Sequence, residues 1–160
     1  MQRSNKIVGL TLVSLISATA MAETLAQKNF HKDTEKALEV DLNGPATGSP
    51  EQKAKSVNGA CGTSMTAVYD WAGFDKLPFP LSFAPSQYGH EFLFAVERFC
   101  TLSADNKSAV AGKIHKLVIA YGGEGKFSFA LSNGTFTYTI DPKHGSTNGN
   151  EVRDWLGSHL

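Results

Sequence analysis

Apolar residues recur along this chain with two different periods, and the change from one to the other marks its elements. The clearest helical rhythm runs through residues 88–102. There Phe92, Ala95, Val96, Phe99 and Cys100 recur at i, i+3, i+4, i+7 and i+8. Leu93 and Phe94 widen that stripe, which predicts a centrally placed helix. Ser103-Ala104-Asp105-Asn106 breaks the pattern and supplies a cap for a second helix running to His115. Leu117, Val118, Ile119, Ala120 and Tyr121 follow as an unbroken apolar run, the pattern of a strand covered on both faces. Period two then takes over. Phe127, Phe129 and Leu131 alternate with Ser128, Ala130 and Ser132, and Phe136, Tyr138 and Ile140 alternate with Thr135, Thr137 and Thr139. Asn133-Gly134 between them is the favoured pair for a type I′ turn, which needs positive φ at both positions. The result is a hairpin with one aromatic face and one hydroxylated face. Beyond residues 142–149, Asn150 can cap a last helix with Val152, Trp155, Leu156 and His159 or Leu160 on its apolar side.

The first half is less regular. Leu25, Phe30, Ala37 and Leu38 give residues 23–38 a thin helical stripe, and Glu39-Val40-Asp41-Leu42 reads as a short strand. Residues 43–59 are rich in Gly, Pro, Ser and Lys and cannot bury enough surface to fold alone, so they read as a mobile linker. Residues 63–71 fit a strand through Met65, Ala67, Tyr69 and Trp71, or a helix through Met65, Val68, Tyr69 and Ala72. Their β-branched and aromatic content favours the strand. Pro78, Pro80 and Pro85 exclude a helix interior or central strand just after. These elements predict an α+β fold: a small antiparallel sheet of three to four strands, a meander containing the Asn-Gly hairpin, packed on helices.

The start of the chain changes the picture. Arg3 and Lys6 precede Ile7, Val8, Leu10, Leu12, Val13, Leu15 and Ile16, and Ala20-Met21-Ala22 stands before Glu23. A basic start, a short apolar run and an A-x-A site define a secretory signal peptide. The run is shorter than the ~20 residues that span a bilayer. No Cys lies near the site to carry a lipid, and no twin arginine precedes the run. The organisation expected is therefore a signal peptide at 1–22, an N-terminal helix and flexible linker at 23–56, and one globular domain at 57–160. The exported chain carries 13 basic and 15 acidic side chains, which gives no reason to expect nucleic acid as a partner. Nor is stable membrane insertion expected after cleavage. An oxidising destination favours a bridge between Cys61 and Cys100, closing a loop of about 40 residues worth roughly 3–4 kcal/mol in the chain-entropy model.

Candidate chemistry narrows the function by failing in several places. Tyr121-Gly-Gly-Glu-Gly-Lys126 lacks the Ser or Thr and the following helix of a phosphate loop, and reads as a flexible turn. His90-Glu91 is followed by Phe94 where a zinc-binding pair needs His, and His31, His115, His144 and His159 are scattered. Ser64 has no nucleophile elbow. No cofactor and no metal is therefore expected. Asp70 and Asp75 beside Trp71 and Phe74 could grip a sugar, although packing of those rings inward explains them as well. The threonine row at 135, 137 and 139 reads as a solvent-facing strand.

The most suggestive stretch is residues 74–88, where aromatic and aliphatic side chains interleave with three prolines. A rigid apolar loop loses little entropy on docking, which makes Phe74, Phe79, Phe83 and Tyr88 the candidate binding residues; a lid folded back on the core is the alternative. The pattern favours a periplasmic or secreted binding protein without enzymatic activity. Its partner would be a protein, such as a secreted enzyme that it inhibits, or an envelope component. A small cell-envelope hydrolase acting through carboxylates on cell-wall sugar, and a structural envelope component, stand as alternatives.

Overall fold

A computed structural model of the chain describes residues 23–44, 49–51, 55–147 and 149–160. The signal-peptide expectation lies outside these residues, as do residues 45–48 and 52–54 of the linker expected at 43–56. Among the described residues the chain forms six helices and one four-stranded sheet, an α+β fold.

Helix α1 spans Leu25–Asn43. Thr24 and Gln27 close a capping box at its start: Thr24 Oγ1 accepts from the Gln27 N–H (3.2 Å), and Gln27 Oε1 accepts from the Thr24 N–H (3.0 Å). The short strand expected at residues 39–42 does not form. Thr34, Leu38 and Leu42, spaced by four, are buried on one face, so the helical period carries on to Gly44. Leu38 and Leu42 are part of the main core, and α1 packs on the helix at Pro85–Leu102. The compact unit thus includes α1 and does not begin at Val57.

Helix α2, Val57–Cys61, is capped by Ser56 and ends at Gly62 in the left-handed conformation. Strand β1, Thr66–Asp70, resolves the ambiguity at 63–71 in favour of strand. Asp70 caps the single-turn helix α3, Trp71–Phe74. Helix α4, Pro85–Leu102, takes Pro85 in its first turn and buries Phe92, Leu93, Ala95, Val96, Phe99 and Cys100. Phe94 does not widen the stripe as its sequence position suggested, and stands 46% exposed. Helix α5, Ala104–Lys113, is capped by Ser103. Strands β2, Lys116–Tyr121, β3, Ser128–Ser132, and β4, Thr135–Ile140, precede helix α6, Gly149–His159.

The sheet order is β1-β2-β4-β3, so it is not a meander. β2 runs parallel to β1 and to β4, and β3–β4, the hairpin expected at Asn133-Gly134, is the antiparallel pair. The reason is connectivity. Helices α3, α4 and α5 return the chain from β1 to start β2 at the same end, as parallel neighbours require. The turn at 122–127 then carries the chain past one strand position, and β4 fills the gap.

The two faces of the sheet differ. Leu117 and Ile119 of β2 align with Phe136 and Tyr138 of β4 on the buried face. There α4 places Phe92 with its ring centroid 5.2 Å from those of Phe136 and Tyr138, and α6 stacks Trp155 on Phe136 (5.0 Å). The opposite face carries Val118, Ala120 and the threonine row, all only partly covered. The apolar run at 117–121 is therefore covered fully on one face alone. Cys61 and Cys100 are bonded and tie α2 to α4, with Cα atoms 5.1 Å apart.

A candidate binding cleft beside the proline loop

The loop at 75–84 folds back at some of its rings and stands away at others. Phe74 is 1% exposed and sits among Tyr69, Trp71, Phe83 and Tyr121, with ring centroids 5.3–6.3 Å away. Tyr88 is also buried, on the first turns of α4. These two rings are the loop's footing and are not available to a partner. Phe83 is half-buried, stacked on Tyr121 (5.8 Å) and edge-on to Tyr88 (5.7 Å). Phe79 is 38% exposed and leans edge-on against Phe30 of α1 (5.6 Å).

Between this loop and the ends of β2 and β4 lies a cleft of about 300 Å³. Leu77, Pro78, Pro80 and Phe83 line it from the loop, and Tyr121 and Pro142 line it from the ends of β2 and β4. Prolines have no backbone N–H and fix φ, so the loop wall is apolar and stiff. The cleft opens at the carboxyl ends of parallel strands, where open sheets with helical crossovers commonly bind ligands.

The polar side of the cleft is built by Asp141. Its carboxylate accepts from the Gly125 N–H (2.7 Å) and the Lys143 N–H (2.8 Å), tying the turn after β2 to the turn after β4. Gly125 itself has φ 69°, a conformation that suits glycine. Burial works against the Asp141 charge, but N–H bonds from Lys143, Gly125 and His144, with the His144 ring nearby, hold the carboxyl below its ordinary value. At the mouth Glu124 and Lys143 form an ion pair, each about 70% exposed. Such a pair adds little stability in water and can exchange partners readily.

A second concavity runs between α1 and α4. Val40, Asp41 and His90 line both a shallow stretch of about 600 Å³ and a tighter one of about 180 Å³. His90 bonds Asp41 (3.0 Å), and Phe94 lies between the His90 ring and the Arg98 guanidinium. Burial pushes the Glu97 carboxyl at its edge upward, and Arg98 partly offsets this.

The pairing of Asp70 and Asp75 around Trp71 serves the fold. Asp70 accepts from the Ala72 N–H (3.2 Å), Asp75 bonds His31 (3.1 Å), and Trp71 stacks on that His31 (3.8 Å) while its Nε1–H donates to Glu35 (2.8 Å). Glu23 holds the other His31 nitrogen (2.8 Å). Among the described residues no three His, Cys, Asp or Glu side chains group as metal ligands do.

The structure thus brings Phe83 to a cleft, keeps Phe79 at the neighbouring surface and withdraws Phe74 and Tyr88. Sequence reasoning missed Tyr121, Glu124, Asp141 and Lys143 as cleft residues. The signal available was the glycine density at 122–125, which marks a tight turn without saying what it faces. No protein family, curated protein or solved structure matches the chain.

Proposed function

We propose that this is an exported binding protein that receives an apolar side chain of a partner protein in the cleft beside Phe83 and Tyr121. The observation that carries this reading is the cleft itself: a stiff proline wall, a stacked ring pair and a solvent-exposed Glu124–Lys143 pair at the mouth. Protein interfaces are typically organised in this way, with an apolar centre inside a polar rim. Export is supported by the signal-like start, by a Cys61–Cys100 bridge and by a helix cap at Thr24, just past Ala22. None of the described helices is long and apolar enough to cross a membrane. A secreted enzyme held in check by this protein is the partner class we favour.

The test is affinity capture from extracts of the native surroundings with the exported chain and with Lys143→Glu and Pro80→Ala variants. A protein retained by the wild type and released by Lys143→Glu supports the cleft. A partner held equally by all three places binding elsewhere.

A further inference from the structure

We infer that the free edge of the sheet, strand β3, is a self-association edge at which two copies of this chain pair β3 with β3, antiparallel and centred on Ala130. The edge is open. β3 is the terminal strand, and its register with β4 runs residue for residue from Ser128 to Ser132 without a bulge. The two-residue turn makes Ser132 and Thr135 a hydrogen-bonded pair, and pair types alternate from there. Residues 128, 130 and 132 therefore bond β4, whereas the N–H and C=O groups of Phe129 and Leu131 point away from the sheet. No turn, loop or side-chain hydrogen bond among the described residues engages them.

The edge is also unguarded. Natural edge strands are blunted by charges, proline or bulges. Ser-Phe-Ala-Leu-Ser has none of these. The core, moreover, is incompletely closed on this side: Phe127, Phe129, Leu131 and Trp155 pack against it but remain partly exposed. Phe129 lies 5.2 Å from Phe127 and 6.2 Å from Trp155 by ring centroids, so these three rings form an apolar margin along the edge.

A second copy fits because the strand is nearly palindromic in chemistry. Antiparallel pairing about Ala130 sets Ser128 against Ser132, Phe129 against Leu131, and Ala130 against itself. Apolar side chains then meet on the buried face and small ones on the open face, with no charge opposed to a like charge. The central Ala130 pair is of the non-hydrogen-bonded kind, so each Phe129–Leu131 pair exchanges both of its N–H···O bonds. The hydrogen-bonding pattern required by symmetry thus matches the groups that the hairpin leaves free. One short strand and its margin cover less than the roughly 1,200 Å² of a stable complex, so the dimer is reversible and appears as concentration rises.

Sedimentation of the exported chain from about 10 μM to about 1 mM tests this. The weight-average mass is expected to climb from monomer toward dimer across that range. Ala130 is exposed on the open face, and Ala130→Lys brings two ammonium groups together at the symmetry axis. It is expected to weaken association at least about tenfold with an unchanged circular dichroism spectrum. Ala130→Thr, a strand former without charge, is expected to leave association intact. In the wild type, exchange of the Phe129 and Leu131 amides should slow as concentration rises, a readout that needs no variant. A monomer throughout the range, exchange at those amides independent of concentration, or a dimer that a folded Ala130→Lys retains would each overturn the proposal.

Discussion

Replacing Phe74 by alanine removes a ring that is 1% exposed and surrounded by four other rings, whereas replacing Phe79 removes one that is 38% exposed and touches Phe30. Both lie at or near the proline-rich loop, and a sequence alone gives no reason to expect different effects. For Phe74 the lost transfer free energy adds to the cavity left behind. The four neighbours belong to β1, α3, the loop and β2, and cannot all collapse inward together, so the cost is about 3–5 kcal/mol. For Phe79 what is lost is one edge-on ring contact and partial burial, about 1 kcal/mol. With a urea m-value near 2 kcal/mol/M, Phe74→Ala should lower the unfolding midpoint by roughly 1.5–2.5 M and Phe79→Ala by about 0.5 M. Trp71 lies 5.3 Å from the Phe74 ring and gives a fluorescence signal for the transition. Equal midpoint shifts for the two variants, or a Phe74→Ala loss under 1 kcal/mol, would refute the division of this loop into footing and surface.

Other outcomes follow from the same geometry. Leu42→Ala should cost about 2–5 kcal/mol, and a chain starting at Val57 should fail to fold by near-ultraviolet circular dichroism, because α1 supplies part of the core. Reduction of the Cys61–Cys100 bridge, or Cys100→Ser, should lower stability by roughly 3–4 kcal/mol in thermal or urea unfolding, and non-reduced material should show no alkylatable thiol by intact mass. The Asp141 carboxyl is depressed in the folded state, so its contribution is fully present above its ordinary value of 3.8 and is lost as pH falls through the lower folded value. Asp141→Asn should therefore flatten the acid limb of a plot of urea midpoint against pH; an acid limb as steep as that of the wild type would count against the role given to this carboxylate.

Features that depend on neighbours a few residues away were legible in the chain. Helix α4 follows from the spacing of Phe92, Val96 and Phe99, and the hairpin from Asn133-Gly134 between two alternating runs. Their faces follow too: Thr135, Thr137 and Thr139 lie opposite Phe136, Tyr138 and Ile140 because side chains alternate along any strand. Features that depend on pairings distant in the chain were not legible there. Leu117 meets Phe136, and Ala67 meets Leu117, through parallel ladders that leave no short-range mark, so a mixed sheet and a meander share one local pattern. Residues 39–42 alternate over four positions, too few to separate a strand from a helical turn until Leu38 and Leu42 find the core. Phe94 and Phe99 are both apolar positions of one helix, and only the placement of α1 and the sheet leaves the first in water and buries the second. The cleft shows the same limit. Its proline wall was legible because proline constrains its own backbone. Its other side, Tyr121, Glu124, Asp141 and Lys143, comes together only when the turns after β2 and β4 meet at one end of the sheet, held by the N–H bonds to Asp141.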